Sequence, residues 1–215
     1  MARSGGTSPL VEFDRARGKR VAGTDEAGRG CLAGPIVAAG VLFDYESISR
    51  EDLISLSAMN DSKKLSAARR EALFGDITRV ATAVAVVVRS ASYIDEYGLH
   101  RTNLHCLGTA LDRVAGTGDV MLSDGYMPFG LDEPCEAVVK GDATSAAIAA
   151  ASIVAKVSRD RFMQRASAKY PQFGFDQHVG YATAAHREAI QAHGPTALHR
   201  RSFASSAYEQ FQLVA

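Results

Sequence analysis

Val21-Ala22-Gly23-Thr24-Asp25-Glu26-Ala27-Gly28-Arg29-Gly30 is the stretch on which the fold turns. A short apolar run leads into two adjacent carboxylates, and a glycine-arginine-glycine segment follows at once. Successive side chains of a strand point to opposite faces. Asp25 and Glu26 therefore serve one site only from a strand end or a bulge, which Gly23 and Gly28 permit. Two carboxylates suit a divalent cation, and a glycine loop lets a phosphate-bearing chain come close to the backbone. On these residues alone, a solvated turn with a surface ion pair reads equally well.

Outward from this stretch, 35–43 reads as a second, buried strand, joined to the first by a wide loop. The β-branched run 80–89 reads as a third strand. Two short strands, 119–123 and 135–139, lead into Asp124-Gly125 and Lys140-Gly141-Asp142. Helices are expected at 67–77 behind an N-cap at Ser66, at 92–97 closed by Gly98, and at 102–114. Two more are expected at 144–169 and 183–192. Segment 44–57 reads as polar and mixed, and 1–19 as a flexible basic arm with at most a helical turn near Val11. Strands gather early and helices late. The expectation is an α/β fold with a mixed five-stranded sheet flanked by helices. A main domain over 20–170 would carry a helical C-terminal extension over 171–215.

The bulk numbers exclude more than they select. The 215 residues suit one domain, and 47% apolar with 22% charged is ordinary for a globular protein. The 24 basic and 24 acidic residues cancel, so any polyanion site must come from local clustering. Cys31, Cys106 and Cys135 are odd in number and lack metal spacing, which favours free thiols in a reducing compartment. No apolar window is long enough for a membrane span, and no signal peptide is visible, so the expected location is the cytoplasm. With no apolar stripe for an obligate dimer, a monomer is expected.

Three strand-like segments thus end in acid: Asp25-Glu26, Asp124 and Asp142. Four carboxylates at one edge repel unless a cation is present. A pair of Mg²⁺ or Mn²⁺ ions answers that repulsion and suits phosphodiester displacement. Taken singly, Asp124 reads as a turn former and Asp142 as the N-cap of the long helix.

Several strings resemble the type 2 ribonucleases H, of the bacterial ribonuclease HII kind. They are Asp25-Glu26-Ala27-Gly28-Arg29-Gly30, Asp61-Ser62-Lys63-Lys64-Leu65, Ser123-Asp124-Gly125, Lys140-Gly141-Asp142, the run 149–157, and Gly174-Phe175 through His178-Val179-Gly180-Tyr181. They occur in the family's order over about 20–203. The resemblance implies a ribonuclease H-like fold, hydrolysis of RNA in RNA/DNA hybrids, and incision 5′ to single ribonucleotides in duplex DNA. It implies that Asp25, Glu26, Asp124 and Asp142 hold the metals, with Asp25 bridging. It also implies that Gly28, Arg29 and Gly30 sense the ribose 2′-OH and that Tyr181 stacks on the sugar beside the junction. Lys63 and Lys64 would meet phosphates. Lys156, Arg159 and Arg165 extend that surface or form a plain solvated face. Two positions depart from the family pattern: Cys31 stands where proline is frequent, and Tyr126 where asparagine is frequent. No sliding-clamp motif is evident near the C-terminus. A different two-metal nuclease and a non-catalytic hybrid-binding module are the rival readings.

Overall fold

The opening stretch forms one continuous strand, β1 (Arg20–Ala27), at the centre of a five-stranded sheet ordered β3-β2-β1-β4-β5. The structure, a computed structural model, describes residues 8–59, 65–203 and 205–208. β2 (Ile36–Asp44) pairs antiparallel with β1 in unbroken register from Arg20↔Asp44 to Ala27↔Val37. β3 (Ala83–Arg89) is antiparallel to β2. β4 (Val120–Asp124) is parallel to β1, and β5 (Cys135–Val138) is parallel to β4. The strands β1, β4 and β5 therefore run the same way and finish on one edge of the sheet. The ends of parallel strands are where open α/β sheets commonly bind ligands.

A helix layer covers each face. The long helix α6 (Ala146–Lys169) lies on β1 and β2, while α5 (Leu99–Asp112) lies on β2 and β3 from the other side. Alternation along β1 follows from this. Val21 and Ala27 join the alanines of α6 in one core cluster, whereas Ala22 joins Leu111 and Val114 in another. A Cβ on Gly23 would stand 2.3 Å from the backbone of Ala147 and Ile148, so the α6 backbone approaches β1 only over a glycine.

Residues expected as a loose arm are ordered from Ser8 onward. Pro9–Arg15 form helix α1, capped by the Ser8 hydroxyl, with Leu10 and Val11 buried. Its Asp14 carboxylate is fully buried and accepts the Tyr45 hydroxyl at 2.6 Å and the Ala147 N–H at 2.9 Å. That N–H is one of the orphan donors at the start of α6, so the arm is fastened by a helix-end requirement. The segment read as polar and mixed contains helix α2 (Arg50–Leu56), started by Ser49. Helix α3 (Ala67–Val80) begins behind Ser66 as expected and runs on through Val80, which the strand reading had claimed for β3. Helix α4 (Ala91–Tyr97) closes at Gly98, and α5 starts three residues earlier than its apolar spacing suggested.

After α6 the chain makes the short α7 (Phe175–His178) and α8 (Ala184–His193). These segments bury Phe173, Phe175, Ile190 and Tyr208 against Leu32, Ala33 and Met163. The C-terminal part thus packs directly on the residues that follow the Gly28–Gly30 turn. Lys63 and Lys64, and residues 209–215 at the C-terminus, lie outside the described residues. Among the described residues no helix is long and apolar enough to cross a membrane.

Candidate active site

Register brings two of the acids together. Thr24 pairs with Ser123 across the parallel β1–β4 ladder, so Asp25 and Asp124 stand level, one step further on. Asp25 is 7% exposed, and its neighbour Glu26 is partly buried. No bulge interrupts β1 here, and the two side chains take opposite faces. Asp25 meets the Ser152 hydroxyl of α6, while Glu26 faces the buried Asn103 of α5. They share one site because both sit at the end of the strand, where the faces meet.

Burial pushes the Asp25 carboxyl well above the ordinary range, and the charges of Glu26 and Asp124 push it further. Ser152 and the Glu26 N–H, which donates to Asp25 Oδ1 at 2.7 Å, pull back only in part. Burial raises Glu26 as well, against the Asn103 amide and the charge of Arg29. Asp124 accepts the Gly141 N–H at 2.6 Å, which ties the end of β4 to the turn after β5. That turn, Gly141–Ala143, carries Asp142 at 4% exposure. Asp142 is not the helix cap; Ser145 caps α6 through the Ile148 N–H.

The donor set is all carboxylate oxygen, which fits a hard divalent cation in chemistry. Among the described residues no three His, Cys, Asp or Glu side chains converge tightly enough to grip an ion unaided. The arrangement is an acid-lined edge rather than a closed cage.

The loop beside it is held quite differently. Gly28 has φ +91, and a Cβ there would collide with the Arg159 side chain at 1.9 Å. A Cβ on Gly30 would meet no atom of the described residues within 4 Å, so their packing does not require glycine there. Arg159 and Arg200 are both essentially fully buried. Arg159 donates to the carbonyls of Pro35, Ala33 and Val179 at 2.9–3.0 Å. Arg200 donates to Gly34 and to Arg29 at 2.9–3.0 Å. Arg159 is therefore not part of a phosphate surface, since its guanidinium is consumed inside the protein. Arg165 is exposed, and Lys156 pairs with Asp160 at 2.7 Å. Burial lowers the Arg200 pKa to about 10, which leaves it charged at neutral pH.

Three histidines extend this clamp to Tyr181. The Thr196 N–H donates to His199 Nδ1 at 2.9 Å, which leaves the proton of His199 on Nε2. That Nε2–H donates to His186 Nε2 at 3.2 Å, and His186 Nδ1–H donates to the Tyr181 carbonyl at 2.8 Å. His178 stacks on His186 with ring centroids 4.3 Å apart. Burial lowers both His186 and His199 to about 4, so the chain is neutral at neutral pH. The Tyr181 ring is 44% exposed, with its hydroxyl on the Cys31 thiol and Lys156 Nζ 5.9 Å from the ring centroid.

An open cleft of about 390 Å³ runs between the two regions, lined by Glu26, Gly28, Arg29, Gly30, Arg70, Ser152, Lys156 and Tyr181. The structure thus gathers Glu26, the glycine-flanked loop and Tyr181 around one opening; Asp25 and Asp124 stand level at the adjacent strand ends, and Asp142 follows the Gly141 that bonds to Asp124. Sequence reasoning assigned no role to Arg70, Asn103, Ser152, Arg200, His186 or His199. Ser152 stood inside a motif already singled out; the others carried no signal.

The family model described as Ribonuclease HII matches residues 22–206. A ribonuclease HII of Rhizobium johnstonii is 51% identical over 205 residues, covering 92% of this chain and 86% of the relative. Among solved structures, the ribonuclease H2 of Pyrococcus horikoshii OT3 superposes with a TM-score of 0.73 at 26% identity, covering 90% of this chain and 99% of that one. The PCNA:RNase HII complex of Archaeoglobus fulgidus gives 0.71 at 29% identity, covering 86% and 95%.

Proposed function

The chain belongs to the ribonuclease HII family and is an endoribonuclease, and we propose that it cuts the RNA strand of RNA/DNA hybrids and incises 5′ to single ribonucleotides in duplex DNA. The products are a 3′-OH and a 5′-phosphate. The observation that carries this reading is the shared edge of β1, β4 and β5, where three separate strands deliver acid.

In this reading Asp25, Glu26, Asp124 and Asp142 hold two Mg²⁺ or Mn²⁺ ions. Ions held there would lower the pKa of an attacking water and offset charge on the leaving oxygen. The residues prepare the edge in advance. Asp124 is oriented by the Gly141 N–H, and Asp25 by Ser152 and the Glu26 N–H. The raised pKa values of Asp25 and Glu26 record the strain of like charges in a buried place, which a cation relieves. Donors beyond these acids would come from the scissile phosphate and water.

Selection for RNA belongs to the loop and the tyrosine. Gly30 leaves its backbone open on the cleft side, so a sugar can approach without meeting a Cβ. Tyr181 offers a ring face to the neighbouring sugar, and Arg70 and Lys156 supply positive charge in the cleft. Lys63 and Lys64 contribute phosphate contacts. The protein works as a monomer in the cytoplasm.

The test is a duplex carrying one ribonucleotide, incubated with and without divalent ion. Metal-dependent cutting on the 5′ side of that nucleotide supports the reading, and equal cutting of an all-DNA duplex rejects it.

A further inference from the structure

Arg29 is the one long side chain of the Gly28–Gly30 loop, and its backbone is fixed from behind by Arg200. Its guanidinium is not fixed in that way. The nearest Glu26 oxygen is 4.0 Å away, beyond hydrogen-bond length, and the side chain is 35% exposed. What lies against the guanidinium is an aromatic ring from a different strand end: its central carbon sits over Tyr126, 4.5 Å from the ring centroid.

Tyr126 is itself held. It follows Asp124-Gly125, and its N–H donates to the Asp124 carbonyl at 2.7 Å. The His100 ring meets it edge-on, with centroids 5.6 Å apart at 71°. The Arg29–Tyr126 contact therefore bridges the loop after β1 and the turn after β4, directly across the acidic edge. A guanidinium over a ring face keeps its N–H donors at its rim, and those donors suit a phosphate or a hydroxyl. Had Arg29 instead closed a hydrogen-bonded pair with Glu26, it would draw on the same carboxylate that the metal reading needs.

We propose that Tyr126 is a positioning residue that holds the Arg29 guanidinium over its ring, out of hydrogen-bonding reach of Glu26 and available to the substrate backbone in the cleft. This rests on the reading of Gly28–Gly30 as the substrate-sensing loop. Tyr126 stands where the family resemblance implies asparagine, and the ring gives the position a use that an amide lacks.

A double-mutant cycle tests this, read by two measurements. One is the binding of a fluorescently labelled duplex with a single ribonucleotide, without divalent ion, by anisotropy. The other is steady-state cleavage of that duplex with Mg²⁺. Tyr126→Leu is expected to weaken binding and raise KM by roughly two- to fivefold, the size of an exposed cation–π contact, with kcat little changed. Tyr126→Phe, which keeps the ring, should match wild type, as should Met127→Ala in the same exposed turn. In an Arg29→Ala background, Tyr126→Leu should add nothing. The proposal is overturned if Tyr126→Leu binds like wild type, if Tyr126→Phe loses as much as Tyr126→Leu, or if the loss persists without Arg29. Failure of the proposed function would appear separately, as wild-type cutting of all-DNA duplex, and would leave the binding cycle readable.

Discussion

The acidic edge and the loop clamp beside it are built on opposite principles. At the edge, like charges are brought together and only partly answered: burial raises both Asp25 and Glu26, the charges of Glu26 and Asp124 raise Asp25 further, and the charge of Asp124 raises Glu26. In the clamp, buried cations and neutral histidines are matched to carbonyl after carbonyl. One region stores unfavourable electrostatics that a ligand can relieve. The other has its hydrogen bonds satisfied before any ligand arrives. The contrast teaches that unrelieved charge at the edge can be tolerated where the adjoining loop is fixed by its own hydrogen bonds.

Breaking the edge should harm function and spare the fold. Asp124→Asn is expected to reduce cleavage on the order of a thousandfold, about 4 kcal/mol in the barrier, as for loss of a group that stabilises developing charge. The melting temperature of the metal-free protein should hold or rise. A cleavage assay beside a thermal melt checks both.

Breaking the clamp should do the reverse. Arg159→Met strands the carbonyls of Ala33, Pro35 and Val179, and should lower unfolding free energy by about 3 kcal/mol in a urea titration. A variant as stable as wild type would show that these bonds do not hold the loop.

The pH responses should differ in sign. His186 and His199 fall from 6.5 to about 4 in the folded state, so between those values the unfolded chain binds more protons. Their contribution is complete above pH 6.5 and is lost as pH falls toward 4. The groups facing them are His178, Thr196, Arg201 and the Tyr181 carbonyl, and the charge of Arg201 reinforces the trend. Asp25 and Glu26, being raised, contribute stability as pH falls instead. Replacing His199 with Gln should flatten the acid loss of stability by about 2 kcal/mol, measured as unfolding free energy at pH 7 and at pH 5.

The smallest effect expected is at Gly30. Gly30→Ala meets no atom of the described residues within 4 Å, so the melting temperature should stay put. Meanwhile KM for a single-ribonucleotide duplex should rise by about fivefold, near 1 kcal/mol, because the added methyl stands where substrate approaches. The same change at Gly28 meets Arg159 and should destabilise the fold.

The same division separates what the sequence disclosed from what it hid. The acids were legible because each follows an apolar, strand-forming run, and parallel pairing of β1, β4 and β5 then carries them to one edge. Arg159 was read as a surface residue because its helix neighbours Lys156 and Arg165 are basic; nothing local marks a guanidinium that points inward. Arg200 sits in a basic run, and its partners Gly34 and Arg29 lie more than 160 residues away in the chain. His186 and His199 are separated by a helix and a turn, so no spacing announces their contact. Helix α1 was legible only as a turn near Val11 because Leu10 and Val11 are too few to set a period, and its anchor, Asp14, bonds to Ala147.

The central claim is that acids from three strand ends jointly hold divalent ions once a nucleic acid backbone is present. Electron paramagnetic resonance of Mn²⁺ with an uncleavable RNA/DNA hybrid measures this directly. Wild-type protein should take up about two ions per complex, and Asp25→Asn and Asp124→Asn should each lose tight uptake while still binding the hybrid. Equal Mn²⁺ uptake by wild type and both variants would contradict it.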